Sequence, residues 1–181
     1  MDSFTAFCNH ACVVNRMVIM HASEPLHLLE ILPKLPNARY NHARPCRIYW
    51  RYEKRIPIQL FPKGTVQILG GKHNDLLCEE IRNYLMKHLS IILSPPRLRS
   101  CTVSCRLAQR LLCLTDIPSN HYVSNEYEIF PGTLIQQPVR NRNYHVCLFP
   151  NGTAIVTGVR FLHEAYHQLQ KCLSQYKMFV K

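Results

Sequence analysis

The residues best suited to chemistry in this 181-residue chain are its nine cysteines and ten histidines. Two clusters could hold a metal ion: Cys8, His10 and Cys12 near the N-terminus, and the pair Cys101 and Cys105. Neither cluster has the Cys-x-x-Cys spacing that structural zinc sites favour. Several other cysteines lie inside apolar runs, so we interpret them as small buried residues of a reducing compartment. We therefore expect neither a metal nor another cofactor.

An enzyme is not the function that these residues favour. The sequence contains no Walker loop, Rossmann glycine motif, HExxH or GxSxG, and its 11 acidic residues leave few carboxylates for acid–base catalysis. The charge is mainly cationic, with 22 Lys+Arg and a net charge of +11, which favours a polyanionic partner. Apolar residues make up 47% of the chain without a run long enough for a membrane span, and we find no secretory signal.

The densest group of cations lies among aromatic residues between positions 39 and 55. Its members are Arg39, Arg44, Arg47, Arg51, Lys54 and Arg55. On a strand, Arg47, Tyr49 and Arg51 would share one face. One interpretation is contact with nucleic-acid phosphates, and the other is a solvated edge strand protected by its charge. A second basic pair, Arg140 and Arg142, favours the phosphate interpretation.

An internal repeat defines the elements that must position these residues. Leu-Phe-Pro-x-Gly-Thr occurs at residues 60–65 and again 88 residues later, at 148–153. Apolar residues alternate before and after each Pro-x-Gly turn, which predicts a β-hairpin in each copy. An apolar stripe at helical spacing follows each hairpin. We expect Asn74 or Asp75 to cap the first helix, and the second helix to run from about Arg160 with Leu162 on its apolar face.

The same alternation sets two phenylalanines apart. If Leu60 and Leu148 pack on the helices, Phe61 and Phe149 must point to the opposite face, beside the turns. Large aromatic side chains on a helix-free face need a partner. The alternative is that each phenylalanine folds over its own hairpin or over a neighbouring strand.

The repeat and several short motifs resemble the TATA-box-binding protein (TBP) family over roughly residues 13–181. Similar motifs are Asn-Ala-Arg-Tyr-Asn at 37–41, Glu-Tyr-Glu-Ile-Phe-Pro-Gly at 126–132, and the segment 149–158. The resemblance implies an α+β fold: a two-fold pseudo-symmetric saddle, with a curved antiparallel sheet of about ten strands and four helices on its convex face. The expected division is an extension at 1–12, a first repeat at 13–93, a linker at 94–98 and a second repeat at 99–181.

The resemblance also implies a function, that of a nuclear transcription initiation factor that binds and bends A·T-rich double-stranded DNA through the minor groove. The family's wedge positions fall on Pro45, Phe61, Phe130 and Phe149. Its base-reading Asn and Thr positions fall on Asn15, Leu69, Arg99 and Thr157. Each half therefore lacks one of its two reading residues. The remaining expected DNA contacts are Arg44, Arg47, Arg51, Lys63, Pro131, Arg140 and Arg142.

Protein partners follow from the same resemblance. Glu126, Glu128 and Ile129 match the loop, or stirrup, that the family presents to transcription factor IIB. A transcription factor IIA-like protein is a further candidate partner, although Arg39 replaces an acidic residue on the first stirrup. Because the reading residues are incomplete, the alternative function is a TBP-like protein-interaction module. Such a module would have reduced or lost sequence-specific DNA binding and would engage transcription factors through its stirrup and convex surfaces.

Overall fold

The computed structural model describes residues 8–71, 74–107, 114, 117, 123–124, 131–139 and 142–175, with only the backbone described at 8, 9 and 139. The strands are β1 Cys8–His21, β2 Arg39–Asn41, β3 Arg47–Tyr52, β4 Ile56–Leu60, β5 Thr65–Leu69, β6 Arg97–Leu107, β7 Val123–Ser124, β8 Thr133–Val139, β9 Arg142–Leu148 and β10 Thr153–Val159. The helices are α1 Leu28–Ile31, α2 Asp75–Leu89 and α3 Leu162–Gln175, and a 3-10 turn, Leu32–Lys34, follows α1.

The ten strands form one sheet in the order β2-β3-β4-β5-β1-β6-β10-β9-β8-β7. Every strand pair whose register is described is antiparallel. The chain divides into a first compact unit, Asn15–Arg99, and a second unit of Ser100 and the residues after it together with β1 up to Val14. The α+β prediction of an antiparallel sheet of about ten strands is confirmed. The described ranges hold three α-helices, whereas four were expected.

Two strands begin earlier in the chain than the predicted repeat boundaries. β1 begins at Cys8, inside the stretch interpreted as an extension, and β6 begins at Arg97, inside the expected linker. In β6 the reason is its alternating pattern, in which every second side chain from Cys101 to Leu107 is buried.

The core of the first unit lies between one face of its strands and the helix α2. The buried strand residues are Val18, Met20, Ile48, Trp50, Tyr52, Ile58, Leu60, Val66 and Ile68. From α2 they meet Cys78, Ile81, Leu85 and Leu89, at helical spacing. The predicted cap is confirmed at Asn74, whose side-chain oxygen accepts a hydrogen bond from the Leu77 amide at 2.8 Å.

The second unit buries the equivalent face of its strands. Val103, Val146 and Val156 are 0 to 1% exposed, and they share the core with the α3 residues Leu169 and Leu173. The prediction for α3 was wrong at its start. The helix begins at Leu162, which is 39% exposed, because the chain turns at residues 160–161 and the first buried helix residue is Ala165. Tyr176, the last residue of the predicted apolar face, lies outside the described residues.

The two hairpin turns have the same hydrogen bonds. The Gly64 amide donates to the Phe61 carbonyl at 3.0 Å, and the Gly152 amide donates to the Phe149 carbonyl at 2.9 Å. Both glycines have positive φ, at 87° and 81°, a conformation that residues with a Cβ rarely adopt. The sequence repeat is therefore a repeat of backbone geometry.

A second pair of equivalent glycines, Gly70 and Gly158, differs in the space that a side chain would have at each position. Gly70 (φ 80°) and Gly158 (φ 87°) are 88 residues apart. A Cβ on Gly70 would lie 3.6 Å from the Pro57 side chain, an ordinary contact. A Cβ on Gly158 would lie 2.7 Å from the Asn143 carbonyl oxygen, which belongs to the backbone of a paired strand.

We therefore expect unequal costs from the same substitution. Gly70→Ala should lower the free energy of unfolding by about 1 kcal/mol through backbone strain alone, and Gly158→Ala by about 2–3 kcal/mol because a clash is added. Urea denaturation followed by circular dichroism measures both. Equal losses in the two variants would contradict the described packing around Gly158.

Candidate nucleic-acid interface

The strands of the first unit have a second face that α2 does not cover. We call it the first open face, and its side chains are half-buried or exposed, alternating with the buried ones. Its members are Asn15, Met17 and Ile19 on β1, Arg47, Tyr49 and Arg51 on β3, Pro57 and Gln59 on β4, Gln67 and Leu69 on β5, and Phe61 after β4. Apolar, amide and cationic groups are mixed on this face.

An ion pair fixes which side of β1 belongs to the open face. Arg16 reaches the helix side, where its Nη2 lies 3.6 Å from the Asp75 carboxylate at the start of α2. Asn15 and Met17 flank Arg16 along the strand, so they point to the opposite side. Asn15 therefore lies on the open face.

The basic group of β3 lies on the same face. Arg47 donates from Nε to the Tyr49 hydroxyl at 2.6 Å, and its guanidinium carbon is 4.9 Å from the centre of the Tyr49 ring. Arg51 is exposed two residues further on, so the prediction that Arg47, Tyr49 and Arg51 share a face is confirmed. The edge-strand interpretation is wrong for Arg47, since residues 47–49 pair with β2. Arg51 lies beyond the end of β2, where β3 pairs only with β4, so it projects from the open face at the edge of the sheet.

The repeated phenylalanines are also on the faces that the helices leave open. Leu60 and Leu148 are 0% exposed in the cores, while the next residues, Phe61 and Phe149, are half-buried on the other side of the sheet. Both exposures agree with the prediction from alternation, and the contacts of each ring stay a prediction. Each phenylalanine immediately precedes its turn, where the strand ends.

The second unit has an open face of its own. Its members are Thr102 and Ser104 on β6, Leu134 and Gln136 on β8, His145 and Cys147 on β9, Ile155 and Thr157 on β10, and Phe149 after β9. Thr157 pairs with both Thr102 and His145, which puts it in the interior of this face. Burial raises the pKa of the Cys147 thiol, so Cys147 acts here as a small neutral side chain.

This arrangement matches a solved structure. The chain is similar to Methanococcus jannaschii TBP, with a TM-score of 0.72 at 22% sequence identity, over 93% of this chain and 98% of that one. No protein-family model and no curated protein sequence matches the chain. The chain has the TBP-like fold. The fold that the motifs predicted is thus confirmed, at an identity that fits a divergent sequence.

Within the TBP-like fold, the position assigned to Arg99 needs correction. Arg99 alternates with the buried residues Cys101 and Val103, so it lies on the helix side of β6. Ser100 and Thr102 have the opposite orientation. The side chain expected at a base-reading position therefore does not belong to the open face.

The strand registers show which residue takes that position. Met17 pairs with Leu69 in the first unit, and Thr102 pairs with Thr157 in the second. Asn15 lies two residues before Met17, and Ser100 lies two residues before Thr102. Ser100 is therefore the equivalent of Asn15. Equivalent residues of β1 and β6 are 85 residues apart in the sequence, whereas equivalent residues of the two hairpins are 88 apart. An offset of 88 residues from Asn15 therefore does not lead to Ser100. The sequence does contain a signal, because Ser and Thr alternate with Cys and Val at 100–105, and the polar residues of such a pattern are expected on the open face.

Arg142 also needs correction. Its Nη1 lies 3.6 Å from the Glu164 carboxylate on α3, and it alternates with the buried residues Tyr144 and Val146. It is therefore on the helix side, in an ion pair, and not among the expected DNA contacts. The sequence could not reveal this, because Glu164 is 22 residues away along the chain.

The remaining predicted residues lie in turns or outside the described ranges. Arg44 and Pro45 are exposed in the connection between β2 and β3, and Lys63 is exposed in the turn after Phe61. Pro131 is exposed two residues before the start of β8. Outside the described residues lie Glu126, Glu128, Ile129, Phe130 and Arg140.

The described part of the chain contains no cluster of three or more His, Cys, Asp or Glu that could hold an ion, and the Cys8 side chain lies outside it. Cys101 and Cys105 are buried, while His10 and Cys12 are exposed on β1. Burial raises the pKa of Cys172 to about 12, as expected for a core thiol. None of the described helices is both long and apolar enough to cross a bilayer.

One feature of the first unit was missed by the sequence analysis. A groove of about 1070 Å³ opens beside the far end of β3, because the short strand β2 pairs only with residues 47–49. Trp50 stacks on Tyr84 of α2 in its wall, at 5.4 Å between ring centres. The Trp50 indole N–H is buried and has no hydrogen-bond partner among the described residues. Arg39, Arg51 and Lys54 also line the groove.

Proposed function

We propose that this chain is a transcription initiation factor that binds and bends double-stranded DNA through the minor groove, using the two open faces. The observation that carries the proposal is the equivalent position of Phe61 and Phe149, each beside the same turn and opposite the helices. Minor-groove proteins insert apolar side chains between base steps, and the unstacking cost of a few kcal/mol is offset by a larger wrapped surface. Similarity to a TBP structure supports the same function.

The charge of the first open face supports binding to a duplex. Arg47 and Arg51 project from β3, and Arg39 is the register partner of Tyr49 on β2. The ion pairs described in this unit involve other arginines, Arg16 and Arg82. The three cations are thus suited to phosphates, whose neutralisation supplies affinity without sequence choice.

The remaining contacts complete the proposal. Asn15, Ser100 and Thr157 provide small polar groups for the minor-groove edge, with Leu69 as an apolar neighbour. Pro45, Phe130 and Pro131 are proposed as further apolar contacts, and Arg44, Lys63 and Arg140 as phosphate contacts. We propose that the chain acts in the nucleus and carries out no catalysis. It would recruit a transcription factor IIB-like protein through Glu126, Glu128 and Ile129.

A second candidate function is favoured by the groove beside β3. Its aromatic wall, its cations and the unpartnered Trp50 indole N–H are suited to a protein partner at the edge of the first unit. A transcription factor IIA-like protein is the proposed occupant. In the alternative function such contacts remain while sequence-specific DNA binding is reduced or lost.

The phenylalanine wedges are tested by fluorescence polarisation with a labelled duplex over a salt series. Phe61→Ala combined with Phe149→Ala should weaken binding by about tenfold or more at constant salt, on the scale of lost base–aromatic contacts. A duplex labelled at both ends should also show less bending by energy transfer. Phe161→Ala is the matched control, because Phe161 precedes α3, is 56% exposed and stacks on His163.

Unchanged affinity and bending in the double variant would reject wedge-driven recognition. Absence of duplex binding by the wild-type chain, even at low salt, would reject DNA binding and leave the protein-interaction module in its place.

Arg51, which keeps its predicted place on the first open face, and Arg142, which does not lie on an open face, provide a second test. Arg51→Ala should reduce the slope of log K against log salt by about 0.9, since one phosphate contact is lost. Arg142→Ala should leave the slope unchanged, because Arg142 pairs with Glu164 on the helix side. A slope that Arg51→Ala leaves unchanged would show that Arg51 does not contact a phosphate, and a slope that Arg142→Ala reduces would contradict the assignment of Arg142 to the helix side.

A further inference from the structure

Two glutamines occupy the centre of the first open face. Gln59 on β4 and Gln67 on β5 are direct register partners, and both are half-buried. Opposite residues of an antiparallel pair have Cβ atoms about 5 Å apart, so the two amides share one small area of the sheet. Tyr49 and Ile19 continue the same row on the neighbouring strands.

The equivalent positions of the second unit have different chemistry. Cys147 and Ile155 lie 88 residues after Gln59 and Gln67, and they are also register partners on an open face. Neither a neutral thiol nor an isoleucine side chain accepts a hydrogen bond well. The two units therefore present the same backbone geometry with an amide pair in one and an apolar pair in the other.

Minor-groove chemistry makes this difference important. A·T and T·A pairs present only acceptors there, whereas a G·C pair adds one donor, the guanine N2 amino group. An apolar surface leaves that amino group without a partner, and unpaired polar groups at a contact surface are costly. A glutamine amide can accept from the amino group through its oxygen and donate to base acceptors through its nitrogen.

We propose that Gln59 and Gln67 make the first open face accept G·C pairs through the guanine N2 amino group, while Cys147 and Ile155 make the second open face exclude them. The inference rests on the proposed minor-groove binding. It assigns the chain a mixed site, with G·C tolerated in one half and A·T required in the other. Such a site is asymmetric, so it also fixes the orientation of the protein on the duplex.

The test uses fluorescence polarisation with the full chain and four duplexes of one length. They contain A·T pairs only, G·C pairs in one half, G·C pairs in both halves, and inosine·C pairs in one half. Inosine lacks the N2 amino group and is otherwise like guanine. Because inosine·C presents the same minor-groove acceptors as A·T, the wild-type chain should bind the one-half G·C duplex about fivefold more tightly than the A·T duplex. Inosine should weaken binding about fivefold, and G·C in both halves about tenfold.

Variants connect the effect to the glutamines. Gln59→Leu combined with Gln67→Leu should prefer the A·T duplex over the one-half G·C duplex by about tenfold, since the amino group loses its acceptor. Asn83→Leu is the matched control, because it removes an exposed amide from α2 on the helix side. It should leave all four affinities unchanged.

Each result has one meaning. If the wild-type chain binds duplexes but binds the one-half G·C duplex no more tightly than the one-half inosine duplex, the inference is overturned while DNA binding stands. If no duplex is bound at low salt, the proposed function falls and the inference with it. If the leucine variant does not fold, the inosine comparison on the wild-type chain decides the inference alone.

Discussion

One-sided helix coverage of a strictly alternating sheet is the constraint on which the candidate interface depends. Because successive strand residues point to opposite faces, each leucine or valine that packs on a helix directs its neighbour to the open face. Leu60 and Phe61 illustrate the rule, since Leu60 is fully buried in the core and Phe61, the next residue, is only half-buried. A one-residue slip of register would exchange the two faces and lose the core. The core thus determines which side chains lie on the open faces.

The two copies of the repeat have the same backbone geometry but different side chains on their open faces. Both hairpins close on a glycine of positive φ and on the same backbone hydrogen bond. On the open faces the matched positions differ: Gln59 and Gln67 in the first unit become Cys147 and Ile155 in the second, and Leu69 becomes Thr157. Backbone geometry is retained because burial and turn strain constrain it, whereas side chains on an open face are constrained only by what they contact.

Much of the fold followed from local pattern. The hairpins, the Asn74 cap and the orientation of the two phenylalanines depend on spacing within a few residues, and spacing can be read from a sequence. The candidate site was less accessible. The orientation of Arg99 depends on an offset between the copies that is 85 residues in β6 and 88 in the hairpins. Contacts between distant segments of the chain produce the ion pair of Arg142, the place of β3 in the sheet and the groove beside it. Such contacts cannot be read from local spacing.

The central claim, that the open faces contact the duplex, is tested most directly by nuclear magnetic resonance of the methyl groups during titration with a short duplex. The reporting methyls on the open faces are Ile19, Leu69 and Ile155, and the references under the helices are Ile81, Leu85 and Leu169. The account predicts that the open-face methyls shift or broaden in proportion to bound duplex while the references stay nearly unchanged. Changes confined to the helix-side methyls, with the open-face methyls unaffected at saturation, would contradict it.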